Sequence, residues 1–183
     1  MATHLQGYFL VADAELRDPN FFHTVVLLVQ HNDDGALGLV LNRPSRATLS
    51  QVWAQVSQSP CKRDDAIYVG GPVEGPLMAV HDSLEHSETK IVPGVHFCSS
   101  RENMEGLVHS EATALFFAGF AGWGAGQLES EIAEGAWQTI GAAARQVFSH
   151  EADLWERLAN EISGIAVLSK LRIKHVPPDP EMN

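Results

Sequence analysis

Phe116-Phe117-Ala118-Gly119-Phe120-Ala121-Gly122-Trp123-Gly124-Ala125-Gly126-Gln127-Leu128-Glu129-Ser130-Glu131-Ile132 reads as an apolar strand, a turn of alternating glycines, and then a helix. Glycine is placed where the backbone must bend sharply or approach a neighbour, since it reaches positive φ without steric cost. Such a junction leaves free N–H groups at the helix start, where many proteins hold anions. Here Gln127, Glu129 and Glu131 crowd that start. Acids in the first turn complement the helix dipole and repel an anionic ligand. The glycines are therefore read as backbone-geometry residues, with Trp123 wedged inward, and not as a nucleotide cradle.

Upstream of this junction, Leu5 to Ala12, Phe22 to Gln30 and Ala36 to Asn42 read as strands. The last two are joined by a hairpin at Asp34-Gly35, because an Asp-Gly pair supplies the positive φ angles of a tight turn. Arg43-Pro44 ends the third strand, since proline has no N–H to continue a ladder. Leu49, Val52, Trp53 and Val56 follow helical spacing, predicting an amphipathic helix over Thr48 to Gln58. Short strands follow at Ile67 to Val69 and Leu77 to His81, and another pair flanks the turn Pro93-Gly94. Ser99 with Glu102 predicts a capping box that opens a helix through Ser110. Thr113 to Phe120 is a strand, and Gln127 to Glu134 a helix. Trp155, Leu158 and Ile162 mark a last helix, capped by Ser149 and stopped by Gly164. Ile165 to Lys174 reads as a strand or an extended segment.

Hairpins interleaved with helices predict an α+β fold, with a mixed, largely antiparallel sheet packed against several helices. Residues 1–175 form one compact unit with room for two lobes, and residues 176–183, with three prolines, a mobile tail.

The chain has 183 residues, 12 basic and 23 acidic, for a formal net charge of −11. That surplus repels phosphate backbones and argues against direct nucleic-acid binding. No apolar run reaches the roughly 20 residues of a membrane helix. The sequence opens with neither a basic segment nor an apolar one of the secretory kind, so a cytoplasmic location is expected. Cys61 and Cys98 lack metal or redox spacing and read as reduced thiols. Cys98, at a strand end before a helix, is the better candidate nucleophile, although a buried inert thiol is the simpler reading.

Two further turns carry polar or conformationally free residues. Asn42-Arg43 closes a strand, and Arg43 could clamp a carboxylate or phosphate through its planar fork; the plainer alternative is that Asn42 bonds turn backbone and Arg43 pairs with a neighbouring acid. Gly70-Gly71-Pro72 could form an anion nest, but no phosphate-loop lysine follows, and a tight structural turn is favoured. His31 and His81 sit at predicted strand ends without companions at metal-ligand spacing, so a structural role is favoured over a metal pair or general base. No metal or cofactor is expected.

Four blocks together resemble the AlgH-like family of small bacterial proteins. They are Gly7 to Leu10 with Asp18-Pro19-Asn20-Phe21-Phe22, the run from His31-Asn32 through Gly35 to Pro44, Val69-Gly70-Gly71-Pro72-Val73, and Gly119 to Glu129. The similarity runs from about Gln6 to Trp155. It implies an α+β fold of one or two lobes and a cytoplasmic protein with no agreed enzymatic activity. The family takes its name from a proposed regulator of alginate synthesis, so regulation is implied by association, with no catalytic residues to carry over.

The sequence thus favours a non-catalytic regulatory or adaptor protein that acts through a protein partner. The alternative is a small-molecule-binding protein or enzyme with a cleft near Asn42-Arg43, Gly70-Gly71 and the Gly122 to Gln127 turn. Candidate binding residues are Asn42, Arg43, Gly70, Gly71, Trp123 and Gln127. Direct DNA binding ranks last.

Overall fold

A computed structural model describes residues 4–170. The expected tail over residues 176–183, and the end of the segment reaching Lys174, lie outside the described residues.

Two sheets make up an α+β fold. The first is ordered β10-β3-β2-β1-β11 and is antiparallel throughout. Its strands are β1 (Tyr8–Ala12), β2 (Val25–Asn32), β3 (Gly35–Val40), β10 (Ala121–Gly124) and β11 (Trp137–Gly141). The second is ordered β4-β5-β9-β6-β8-β7, with strands β4 (Pro44–Thr48), β5 (Ala66–Val69), β6 (Met78–His81), β7 (Thr89–Val92), β8 (Val95–Cys98) and β9 (Ala114–Ala118). Its single parallel pair is β5 with β9. The helices are α1 (Leu49–Val56), α2 (Arg101–Val108), α3 (Gln127–Ala133), α4 (Ala144–Val147) and α5 (Leu154–Lys170).

The core follows from strand alternation. Phe9, Val11, Leu27 and Val29 of the first sheet meet Met78, Val80, Leu115 and Phe117 of the second in one buried cluster, joined by Leu154 and Leu158 of α5. The opposite face of the second sheet packs under α1 and α2 through Trp53, Ile67, Met104 and Phe116. The opposite face of the first packs under α3 around Trp123, Leu128 and Trp137. Helices thus cover the faces that the sheets do not bury in each other.

The structure corrects several expectations. The glycine run Ala121–Gly124 is not a turn: it is β10, an edge strand paired with β3 in the register Ala121↔Gly38 to Gly124↔Gly35. With hydrogen in place of side chains, Gly122 and Gly124 gave little strand signal, although Trp123 between them is buried. The bend sits one step earlier, at Gly119 with φ 77°, where the chain leaves the second sheet for the first. Pro44 ends β3 but opens β4 at once, because an edge strand tolerates a missing N–H at its first residue. Strand β11 was not foreseen. Trp137, Thr139 and Ile140 pair with Ala12, Leu10 and Phe9, a contact that local pattern does not announce.

Helix ends differ as well. Helix α1 starts as expected, with a capping box between Thr48 and Gln51. For α2 the cap is Ser100 and not Ser99, and its exposed N–H groups are met from outside. Glu88 accepts from Ser99 N and Ser100 N at 3.1 and 2.8 Å, and that carboxylate is held below its usual pKa range. Ser149 does not open α5; its hydroxyl donates to Gln146 O and closes α4. Gly164 does not stop α5, which continues through Ile165 to Lys170 as helix.

Candidate functional site

Asn42 and Arg43 lie where the chain crosses from β3 to β4, and both turn toward the Asp18 to Thr24 segment. Asn42 Oδ1 accepts from Val25 N at 3.0 Å, and its Nδ2 donates to His23 O at 2.8 Å. The Arg43 guanidinium donates to the carbonyls of Asn20, Pro19 and Phe22 at 2.6, 3.2 and 3.2 Å. Three carbonyls satisfy most of the fork's donors, leaving little to receive an anion. The pair therefore fixes a loop, and Arg43 bonds backbone carbonyls instead of the expected neighbouring acid.

What that loop presents is aromatic. His23 has φ 51°, uncommon for a residue with a Cβ. Its ring lies between Phe22 and Trp155, 3.9 Å from each and nearly parallel to both. Trp155 is anchored by Nε1 donating to Ala12 O at 2.8 Å. Phe22, at the free end of the stack, is 49% exposed.

Gly70 and Gly71 adjoin this crossing: Val69 N donates to Arg43 O and Val40 N to Gly70 O, both at 2.9 Å. They do not form an open nest. A Cβ on Gly71 would stand 2.2 to 2.4 Å from the Phe120 carbonyl and Ala121 N. The glycine turns at Gly70-Gly71 and Gly119 are packed backbone to backbone, which only the absence of side chains allows. Val73, 40% exposed, then bridges to Phe120 in antiparallel fashion.

Trp123 and Gln127 are elsewhere. Gly124 pairs with Gly35 at the hairpin end of β3, whereas Asn42 follows the other end, roughly 20 Å along the strand. Trp123 Nε1 and Trp137 Nε1 both donate to Glu131 Oε2 at 2.9 Å. Gln127 Oε1 accepts from Gly124 N at 3.0 Å, and its Nε2 donates to Glu131 Oε1 at 2.9 Å. The structure thus brings Asn42, Arg43, Gly70 and Gly71 together and holds Trp123 and Gln127 apart from them.

The two histidines are placed in different sheets. His31 Nδ1 accepts from Leu5 N at 2.9 Å, so Nε2 carries the proton it shares with Glu129 at 2.8 Å. With both nitrogens engaged it has no free lone pair for a general base. Glu129 is held below the usual carboxylate range by backbone hydrogen bonding at the start of α3, with His31 contributing. His81 is fully buried, and neither ring nitrogen has a hydrogen-bond partner among the described residues. Its ring stacks 6.1 Å from that of His96, its cross-strand partner. Burial, reinforced by His96, lowers its pKa to about 4. Cys98 is fully buried, and burial pushes its thiol up to about 12, so it stays protonated and is a poor nucleophile. Among the described residues, no group of three His, Cys, Asp or Glu side chains could hold a metal ion. No helix among them is long and apolar enough to cross a membrane.

Beside Asn42 lies a feature without a sequence signal, a partly open cavity of about 150 Å³. Its floor is Leu41, Leu115, Val147 and Leu154, and its mouth Tyr68, Ser149, His150 and Glu151. These come from the end of β3, from β5 and β9, and from the stretch between the last residue of α4 and the first of α5, so no local motif marks them.

The AlgH-like family model matches residues 9–166. Over 166 residues the chain is 32% identical to a UPF0301 protein of Chlorobaculum tepidum, covering 86% of this chain and 87% of that one. It is 36% identical to a UPF0301 protein of Myxococcus xanthus over 80% of this chain and 84% of the other. The solution structure of the AlgH protein from Pseudomonas aeruginosa superposes with a TM-score of 0.74 at 33% identity, over 96% of this chain and 97% of that one. A Corynebacterium diphtheriae protein shares the fold at a TM-score of 0.71 and 21% identity, over 87% and 88% of the two chains. With the two-sheet α+β architecture and a match spanning nearly every described element, this chain belongs to the AlgH-like family.

Proposed function

We propose that this protein is a non-catalytic, cytoplasmic regulatory or adaptor protein that acts by binding a protein partner. The observation that carries this reading is Phe22, half exposed at the end of a three-ring stack whose loop is tied down by Arg43 and Asn42. Interfaces draw most of their energy from a few aromatic anchors, and an anchor already fixed in place loses little entropy on binding. Val69 and Val73, 44% and 40% exposed, flank the glycine turn bonded to the same crossing and add exposed apolar side chains near it. Asn42, Arg43, Gly70 and Gly71 serve here as the frame that presents it.

A cleft lined jointly by the candidate residues has less support, because Trp123 and Gln127 stand at the far end of β3. Direct DNA binding remains disfavoured by the net charge of −11.

The test is affinity capture from bacterial lysate with the wild type and with Phe22→Ser. Phe22 is a surface residue, so the variant should fold. A protein retained by the wild type and reduced at least about tenfold by the variant is the expected result. Equal retention by both, or retention of none, overturns the reading.

A further inference from the structure

The cavity between the β3–β4 crossing and the start of α5 opens apart from Phe22 but shares Asn42 with the frame of that surface. Its floor is apolar: Leu41, Leu115, Val147 and Leu154 are each 5% exposed or less. Its mouth is polar. Tyr68 Oη lies 3.3 Å from His150 Nδ1, and neither has another hydrogen-bond partner among the described residues. The neighbouring polar groups are committed elsewhere. Asn42 has bonded both ends of its amide to Val25 and His23, the Ser149 hydroxyl donates to Gln146 O, and Glu151 is paired with Arg157.

A second observation bears on the same spot. His150 has φ 52°, in the left-handed region that side chains with a Cβ avoid. Strain of that kind is retained where the surrounding structure imposes it, and it clusters at ligand sites. Here it aims the imidazole at the Tyr68 hydroxyl.

We propose that this cavity binds a small uncharged molecule, of about one six-membered ring, through one hydroxyl or carbonyl group facing the Tyr68–His150 pair. Size sets the first limit, since an apolar cavity of about 150 Å³ accommodates benzene. Charge sets the second. The one carboxylate at the mouth is paired with Arg157, so neither ion is left to match a charged ligand. The Tyr68 phenol is held above its usual pKa by burial and stays neutral. With its proton given to His150 Nδ1, its oxygen can accept a ligand O–H; with the other imidazole tautomer, the phenol can donate to a carbonyl.

Phenol is the probe, followed by amide NMR on the intact protein. The expected result is saturable shifts confined to Tyr68, Val147 to Leu154 and Leu115. Benzoate should bind at least about tenfold more weakly, because its charge is unmatched. Tyr68→Phe should weaken phenol about fivefold and leave benzene unchanged, a difference that a merely structural role for the hydroxyl would not produce. Absence of saturable shifts with phenol, benzoate binding as well as phenol, or equal phenol affinity in Tyr68→Phe would each overturn the proposal.

Discussion

The Glu131 carboxylate accepts from both indoles of the α3 side and from Gln127 as well. Removing it leaves two nearly buried indole N–H groups unpaired, Trp123 being 6% and Trp137 3% exposed. Glu131→Leu should therefore lower stability by about 2 kcal/mol or more, measured by denaturant unfolding. Glu131→Gln, which keeps an acceptor, should lose less. His81 gives the opposite kind of residue effect. Its pKa falls from 6.5 to about 4 on folding, mainly through burial. Between those values the unfolded chain binds more protons than the folded one, so stability drops as pH falls through that window. Above it the contribution is level. The loss is at most about 3 kcal/mol. Urea midpoints across that pH range should show the drop, and His81→Leu should flatten it; a wild type with a level profile would contradict the assignment.

At the scale of elements, β10 and α3 meet at Gly126, which caps the helix with φ 73°. No Cβ clash surrounds it, so Gly126→Ala should cost about 1 kcal/mol through the left-handed backbone alone. Gly124 lies in an extended strand, and a Cβ there would meet nothing closer than Gln127 Oε1 at 4.0 Å. Gly124→Ala should be neutral to within about 0.5 kcal/mol. Thermal midpoints of the two variants separate these cases, and equal losses would refute the distinction. The three glycines of this run look alike in sequence, yet only one requires its glycine for φ. Which one depends on where the pairing with β3 stops.

For the whole molecule, the two sheets bury their facing sides in one cluster that includes Phe9 and Leu27 from the first and Val80 and Phe117 from the second. Chain crossings at Asn42-Arg43 and at Gly119 bind the sheets further, and the Gly71 backbone rests against Phe120. Neither sheet can separate without exposing that cluster, so unfolding is expected to be one cooperative transition. Tryptophan fluorescence and far-ultraviolet circular dichroism should report the same midpoint. Two resolved transitions would mean that the sheets act as separate lobes.

The sequence by itself determined the α+β class, most strands, the position of α1 and the inward side of Trp123. All of these rest on local periodicity, turn chemistry and caps, which neighbouring residues suffice to set. It also grouped Asn42-Arg43, Gly70-Gly71 and the Gly122 to Gln127 turn as one set; the first two adjoin, and the third stands at the far end of β3. What only the tertiary structure decided was pairing over distance. Strand β11 exists because Trp137 to Gly141 finds β1 more than a hundred residues back, and β10 is a strand because β3 is there to receive it. The same holds for sites. Arg43 is consumed by three carbonyls of a loop some twenty residues away, and the Tyr68–His150 cavity joins residues 82 positions apart. A side chain's type can be read from the sequence, but whether it is free to bind depends on which distant groups folding brings to it.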